Sequence, residues 1–255
     1  MPTAINAKDA AARAHDTGDR KILTCLHRLR LRSPAIARIT IPCMNSMALW
    51  GKHILLVTEL AGTAAFAMSG VVQAARKRLD PVGVFVAAFV SAFGGGTLRD
   101  LLLDQRPFFW VRHVDVLWAV FALCILAMSF MRARHFAMTE RAMQWPDAIG
   151  LGLFAATGVH QALLVPVPGI VAVLMGVITG AFGGVLRDLI CNEIPTAFKD
   201  HRPYALCAFA GGWAYVGTRH LDAPDWAALG TCVLVTAGLR MLSIWRDWRL
   251  PAWRV

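Results

Sequence analysis

One motif occurs twice in this chain of 255 residues, 88 positions apart (95 to 183), and each copy sits at the same place in a duplicated segment. Gly95-Gly96-Thr97-Leu98-Arg99-Asp100 returns as Gly183-Gly184-Val185-Leu186-Arg187-Asp188. The register holds around it without a gap. Phe66-Ala67-Met68-Ser69-Gly70 answers to Phe154-Ala155-Ala156-Thr157-Gly158, Gln73 to Gln161, Pro107 to Pro195 and His113 to His201. A fixed internal period constrains a fold more than any single residue, because both copies must build the same structural unit.

The unit is a membrane one. The chain is 57% hydrophobic and 16% charged, with a mean hydropathy of +0.53, outside the range of soluble domains. Seven stretches are apolar over the length a bilayer requires, roughly 20 residues: 54–75, 82–103, 114–131, 148–165, 169–190, 204–218 and 226–245, the third and sixth being short. Little remains outside them except residues 1–46, which leaves no room for a soluble catalytic domain. The expected class is an all-α integral membrane protein of the inner membrane. No HExxH, GxSxG or phosphate-binding loop occurs in a soluble context, so no enzyme, cofactor or metal site is expected.

Residues 1–46 carry eight Lys and Arg against three Asp. They lack the hydrophobic stretch of a signal peptide, and Met44 and Met47 stand just before the first span. The segment is expected to be a disordered basic extension, or to reflect a start assigned upstream of the true one. Without it the formal net charge falls from +10 to +5, so the basic balance does not indicate a nucleic-acid partner. The six cysteines show no CxxC spacing and read as packing residues.

Loop charge orients the chain. Arg76, Lys77, Arg78, Arg132, Arg134, Arg141, Lys199, Arg202, Arg246, Arg249 and Arg254 fall on one side, against Lys52, Arg106, Arg112 and Arg219 on the other. The positive-inside rule then places the N-terminus outside and the C-terminus in the cytoplasm. With three spans in each copy, the second enters the membrane from the opposite side. The expected architecture is seven transmembrane helices: two inverted three-helix repeats, 47–135 and 136–222, and one C-terminal helix within 223–255.

Gly94, Gly95 and Gly96 lie near the middle of the second span, and Gly183 and Gly184 near the middle of the fifth. Each glycine inside a helix costs about 1 kcal/mol relative to alanine, so a reason is required. One is a kink that frees backbone groups toward a polar cavity; the other is close helix packing, which the spacing of Gly176, Gly180 and Gly184 also suits. The kinked, cavity-lining reading is expected. One turn further on, Arg99-Asp100 and Arg187-Asp188 place ions within the bilayer, where they must pair or face water. Neighbours in a helix do not face each other, so neither arginine need bond its own aspartate, and a cross-repeat pairing, Arg99 with one acid and Arg187 with another, is the symmetric expectation. Glu59, which matches Asp147, together with Ser69 and Thr157, completes the candidate pathway. His160, opposite Val72, reads as an isolated polar contact.

The stretches Gly62–Gly70, Phe93–Asp100 and Gly180–Asp188 resemble those of bacterial inner-membrane proteins carrying the glycine-transporter domain, to which the trimeric intracellular cation (TRIC) channels are related. The resemblance covers about residues 50–245. It implies a seven-span homotrimer with a pathway in each subunit, lined by the glycine-bearing second and fifth spans. Members are described as potassium/sodium channels in some cases and as glycine transporters in others.

Three functions follow from these residues. Transport of glycine or a similar small zwitterion would use arginine for the carboxylate and Glu59, Asp100 or Asp188 for the ammonium, and is the reading weighed first. A monovalent-cation (potassium/sodium) channel would use carbonyls and acidic side chains, provided its arginines are neutralised. A non-conducting structural membrane protein would use the ion pairs only to fix its helices.

Overall fold

The computed structural model describes the backbone of residues 34–134, 140–199, 203–248 and 251, and the side chains from residue 51 onward over those stretches, except 52, 131–134, 140–142 and 199. Residues 1–33 of the expected extension lie outside it. So do the side chains of Lys52, Arg132, Arg134, Arg141, Lys199, Arg202, Arg249 and Arg254 from the orientation argument. The chain divides into two units, residues 1–50 and 51–255; the packing below is that of the second.

Among the described residues the chain is all helix, with no strand. In order these are α1 (Pro34–Arg76), α2 (Pro81–Leu102), α3 (Phe109–Arg112), α4 (Val114–Arg134), α5 (Glu140–Leu163), α6 (Gly169–Ile190), α7 (Thr196–Lys199), α8 (Tyr204–His220) and α9 (Asp225–Trp245). The sequence of long, long, single-turn and long helices runs twice, and α9 follows. Among the described residues four helical stretches are long and apolar enough to cross a membrane, namely His53–Arg76, Pro81–Leu102, Gly169–Ile190 and Asp225–Trp245, and Val114–Phe130 is a shorter apolar helix. Large apolar side chains such as Trp118, Leu126, Leu206 and Leu234 point outward, as lipid-facing surfaces require.

Two helix starts and two short helices differ from expectation. α1 begins at Pro34, well before the expected span. α5 begins at Glu140 and passes through Pro146, whose missing N–H would ordinarily end a helix. The single-turn helices α3 and α7 were not expected, being too short to show a hydrophobic period.

Capping accounts for the sharp helix ends. α2 starts with Asp80 accepting from the Gly83 N–H at 2.7 Å and with Pro81, which has no N–H to orphan. α2 and α6 end in the same way. The Gln105 N–H donates to the Asp100 carbonyl (2.8 Å) and the Asp104 N–H to that of Leu101, while Glu193 and Asn192 repeat these bonds to Asp188 and Leu189. Asp104 (φ 51°) and Asn192 (φ 52°) hold the left-handed position of each motif, residue types that tolerate it.

The repeats meet through reciprocal contacts. Phe66 and Phe154, equivalent positions, stack on each other with ring centroids 5.4 Å apart. A β-carbon on Gly95 would collide with the Thr179 carbonyl oxygen, and one on Gly183 with that of Ser91. These are the same contact seen from the two repeats, since 91 matches 179 and 95 matches 183. The glycines therefore let α2 and α6 cross backbone to backbone. Both helices are continuous across these glycines, and the close approach of the two backbones gives a packing reason for glycine at both positions.

Candidate functional site

Each repeat buries one arginine between two carboxylates. Arg99, 1% exposed, donates from Nη1 to Glu59 Oε1 (2.6 Å) and from Nε and Nη2 to Asp100 Oδ1 (3.0 and 2.7 Å). Arg187, fully buried, donates from Nη1 to Asp147 Oδ1 (2.6 Å) and from Nε to Asp188 Oδ1 (2.9 Å), with Nη2 2.8 Å from that same oxygen. The expected cross-repeat pairing is corrected. Each arginine takes the acid forty positions earlier in its own repeat (59 to 99, 147 to 187), and each also binds the aspartate beside it. The long guanidinium stem folds back along the helix, so adjacency in sequence does not keep the groups apart.

Neutral side chains make the hydrogen bonds between repeats. Arg187 Nη1 donates to Ser69 Oγ, and Gln161 Nε2 donates to Glu59 Oε1 at 2.8 Å. Their counterparts do not reciprocate, since the Thr157 hydroxyl turns back to the Phe154 carbonyl and Gln73 accepts from Arg76 at 3.1 Å. Of the expected pathway residues, Thr157 is thus used inside its own helix. At the ends of α1 and α6, Lys77 and Glu193 form a further ion pair between the repeats.

The aspartates do two things at once. Asp100 Oδ2 accepts the Phe109 N–H (3.0 Å) at the start of α3, and Asp188 Oδ2 accepts the Thr196 N–H (2.8 Å) and hydroxyl (3.1 Å) at α7. One oxygen holds the arginine and the other satisfies an orphan donor of the next single-turn helix. A buried charge of this kind is tolerable only when its hydrogen bonds are complete.

The surroundings of the two clusters differ. In the first repeat a cavity of ≈ 10 Å³ adjoins the cluster, bordered by Glu59, Thr63, Gly96, Thr97, Phe93 and Trp110. At Gly96 a β-carbon would meet nothing within 4 Å. In the second, Gly184 faces the Tyr204 hydroxyl, which would lie 3.2 Å from a β-carbon there, with Asp147 Oδ1 at 3.3 Å. Behind the Tyr204 ring, 4.7 Å from its centroid, stands the guanidinium of Arg240 from α9, 2% exposed.

Asp147, Tyr204 and Arg240 were not among the expected site residues. Asp147 was legible as the repeat partner of Glu59, and Arg240 as an ion inside the seventh span. Tyr204 carried no signal. His160 Nδ1 lies 2.7 Å from the Tyr215 hydroxyl, a local pair as expected. Cys124, Cys191, Cys207 and Cys232 are free and buried, and burial pushes the Cys191 thiol, just past α6, upward.

A duplicated bundle of helices, several of them long and apolar enough to cross a bilayer, with a buried ion cluster in each half, defines a helical membrane-protein class. Comparison narrows it: the chain belongs to the family whose model is described as the glycine transporter, which matches twice, at residues 56–132 and 144–220. The two matches stand 88 positions apart, as the internal repeat does. The chain is 35% identical over 213 residues to the UPF0126 membrane protein of Vibrio cholerae, covering 82% of this chain and 87% of that protein. It is also 35% identical to the UPF0126 inner membrane protein YadS of Escherichia coli, covering 76% and 93%. Among solved structures it resembles a TRIC cation channel studied for its conductance (TM-score 0.69, 35% identity, 78% of this chain and 97% of that one). It also resembles the TRIC trimeric intracellular cation channel orthologue from Rhodobacter sphaeroides (TM-score 0.71, 32% identity, 76% and 98%). The family and its structural neighbours are transporters and channels, not enzymes.

Proposed function

We propose that this membrane protein conducts monovalent cations, potassium or sodium, through each subunit of a homotrimer. The observation that carries this reading is the state of the arginines. Each guanidinium is committed to two carboxylates, so neither is left to receive a substrate carboxylate, and neither opposes a cation with uncompensated charge. The kinship with TRIC cation channels supports the same reading, as it does the trimer. Seven spans in two inverted repeats plus α9, with the N-terminus outside and the C-terminus cytoplasmic in a bacterial inner membrane, complete the proposal. The repeat boundaries are 47–135 and 136–222, with 1–46 as an extension and 223–255 as the last helix and tail.

Glycine transport is the second reading, favoured by the description of the family. The test uses purified protein in liposomes, following potassium and sodium flux beside uptake of radiolabelled glycine. The expected outcome is cation flux without glycine uptake. Glycine uptake without cation current overturns the channel in favour of the carrier, and neither signal from folded protein favours a structural role.

A further inference from the structure

α9 has no counterpart in the internal repeat, and the seat it fills exists twice. In the second repeat it packs against both α5 and α8. A β-carbon on Gly152 of α5 would stand 3.1 Å from the Val233 carbonyl oxygen and 3.5 Å from the Ala237 β-carbon, and one on Gly211 of α8 would strike the Thr236 hydroxyl. Further along α8, the Tyr204 ring meets Arg240. Gly152, Tyr204, Cys207 and Gly211 are all buried there.

The equivalent groove of the first repeat lies between α1 and α4, and it is open. It has a volume of ≈ 410 Å³, and its lining includes Ala64 of α1 and Asp115, Val116, Ala119 and Leu123 of α4. In the 88-residue register Ala64 matches Gly152, Val116 matches Tyr204, Ala119 matches Cys207 and Leu123 matches Gly211. The groove is thus built from the same positions that α9 covers in the other half. Ala64 and Ala119 are exposed where Gly152 and Cys207 are buried. Small residues at such places let helix backbones approach closely inside a bilayer.

We infer that the groove between α1 and α4 receives a transmembrane helix from a second copy of this chain. This deepens the homotrimer of the reading above and rests on it for the number of copies. A groove that meets a different surface of the next copy makes a head-to-tail contact, the kind that closes into a ring. Charge favours the same occupant. Asp115, exposed at the first turn of α4, is the one charged residue that lines the groove. Arg106 and Arg112, in the segment joining α2 to α4, are exposed at that same end of the bundle. Copies in one bilayer share their orientation, so a second copy brings its own Arg106 and Arg112 to the level of Asp115.

The experiment is native mass spectrometry of the full chain in detergent over a dilution series, which reads the oligomer and any retained lipid together. The wild type is expected as a trimer. Ala119→Trp, which fills the groove, should weaken association about tenfold or more. Ile125→Trp adds bulk to the exposed opposite side of α4 and should leave the trimer intact. Asp115→Arg, at the exposed rim, is a second arm should Ala119→Trp fail to fold, and it should weaken association about twofold to fivefold. A wild type that stays monomeric overturns the docking site. So do equal losses in Ala119→Trp and Ile125→Trp, or association unchanged in Ala119→Trp or Asp115→Arg. A phospholipid held by the wild type and lost in Ala119→Trp, with the trimer intact, gives the groove to lipid and overturns it too. Flux separates this from the function: a trimer that conducts cations and ignores the variants sinks the docking site and spares the channel, whereas a trimer that the variants split but that passes no cation does the reverse.

Discussion

The cluster of the first repeat and that of the second share an arginine, two carboxylates and a helix-crossing glycine, and they differ in what stands in front of them. Around Arg99 the carboxylate of Glu59 borders a cavity with hydroxyl oxygens. Around Arg187 the same volume is taken by Tyr204, backed by Arg240 from α9. Duplication thus supplied a self-consistent way of burying a charge twice, and a few neutral neighbours made one copy accessible and the other sealed. The lesson is that the ions are satisfied in the same way in both halves, while residues such as Thr63, Thr97 and Gly96 leave a small cavity beside the first cluster.

Removing the arginines tests this contrast most severely. Taking one partner from a buried ion pair costs about 3–5 kcal/mol, so Arg99→Leu and Arg187→Leu should both lower Tm strongly. Arg187→Leu should be the worse, because its orphaned carboxylates stand in the more fully buried cluster. Equal losses, read by thermal melting in detergent, would break the distinction between open and sealed clusters.

The crossing glycines should behave alike in both halves. Gly95→Ala and Gly183→Ala each drive a methyl into a backbone carbonyl of the other repeat. Overpacking of this kind costs about 1–3 kcal/mol, and occasionally more, and the obstacle here is rigid. Matching drops in Tm and in the yield of monodisperse protein would sharpen the two-fold relation; a drop at one site only would break it.

The smallest effect separates the halves again. Gly96→Ala meets nothing and gains up to about 1 kcal/mol of helix propensity. Gly184→Ala must push aside the Tyr204 hydroxyl and Asp147, which outweighs the same gain. Opposite signs of the Tm change support the asymmetry between the two sites, and equal signs deny it.

Much of the fold was legible because its signals are periodic. Long apolar runs and the 88-residue register mark the helices, and the positions of Arg99, Asp100, Arg187 and Asp188 mark where the chain must bury charge. The partner of each arginine was legible only in part. Glu59 and Asp147 matched each other in register, but the rule that neighbours face apart left the bonds to Asp100 and Asp188 undecided, since it takes no account of a flexible guanidinium stem. Glycine pairs read as breaks for a similar reason. Propensity counts their local cost and cannot see the opposing carbonyl, which comes from the other repeat. The helices α3 and α7, each a single turn held by an aspartate eight or nine residues earlier, are too short to leave a pattern.

By itself, then, the amino-acid sequence determined the membrane class, the duplication and the set of buried ions. Hydropathy and period are properties of the chain read along its length, and ions inside a span have to be satisfied somewhere. Only the tertiary structure decided which oxygen meets which nitrogen, that Gly95 and Gly183 exist for one shared crossing, and that the two repeats have parted ways. Those outcomes depend on side chains arriving from other helices, Tyr204 from α8 and Arg240 from α9 on one side, Thr63 from α1 on the other, whose convergence no local pattern encodes.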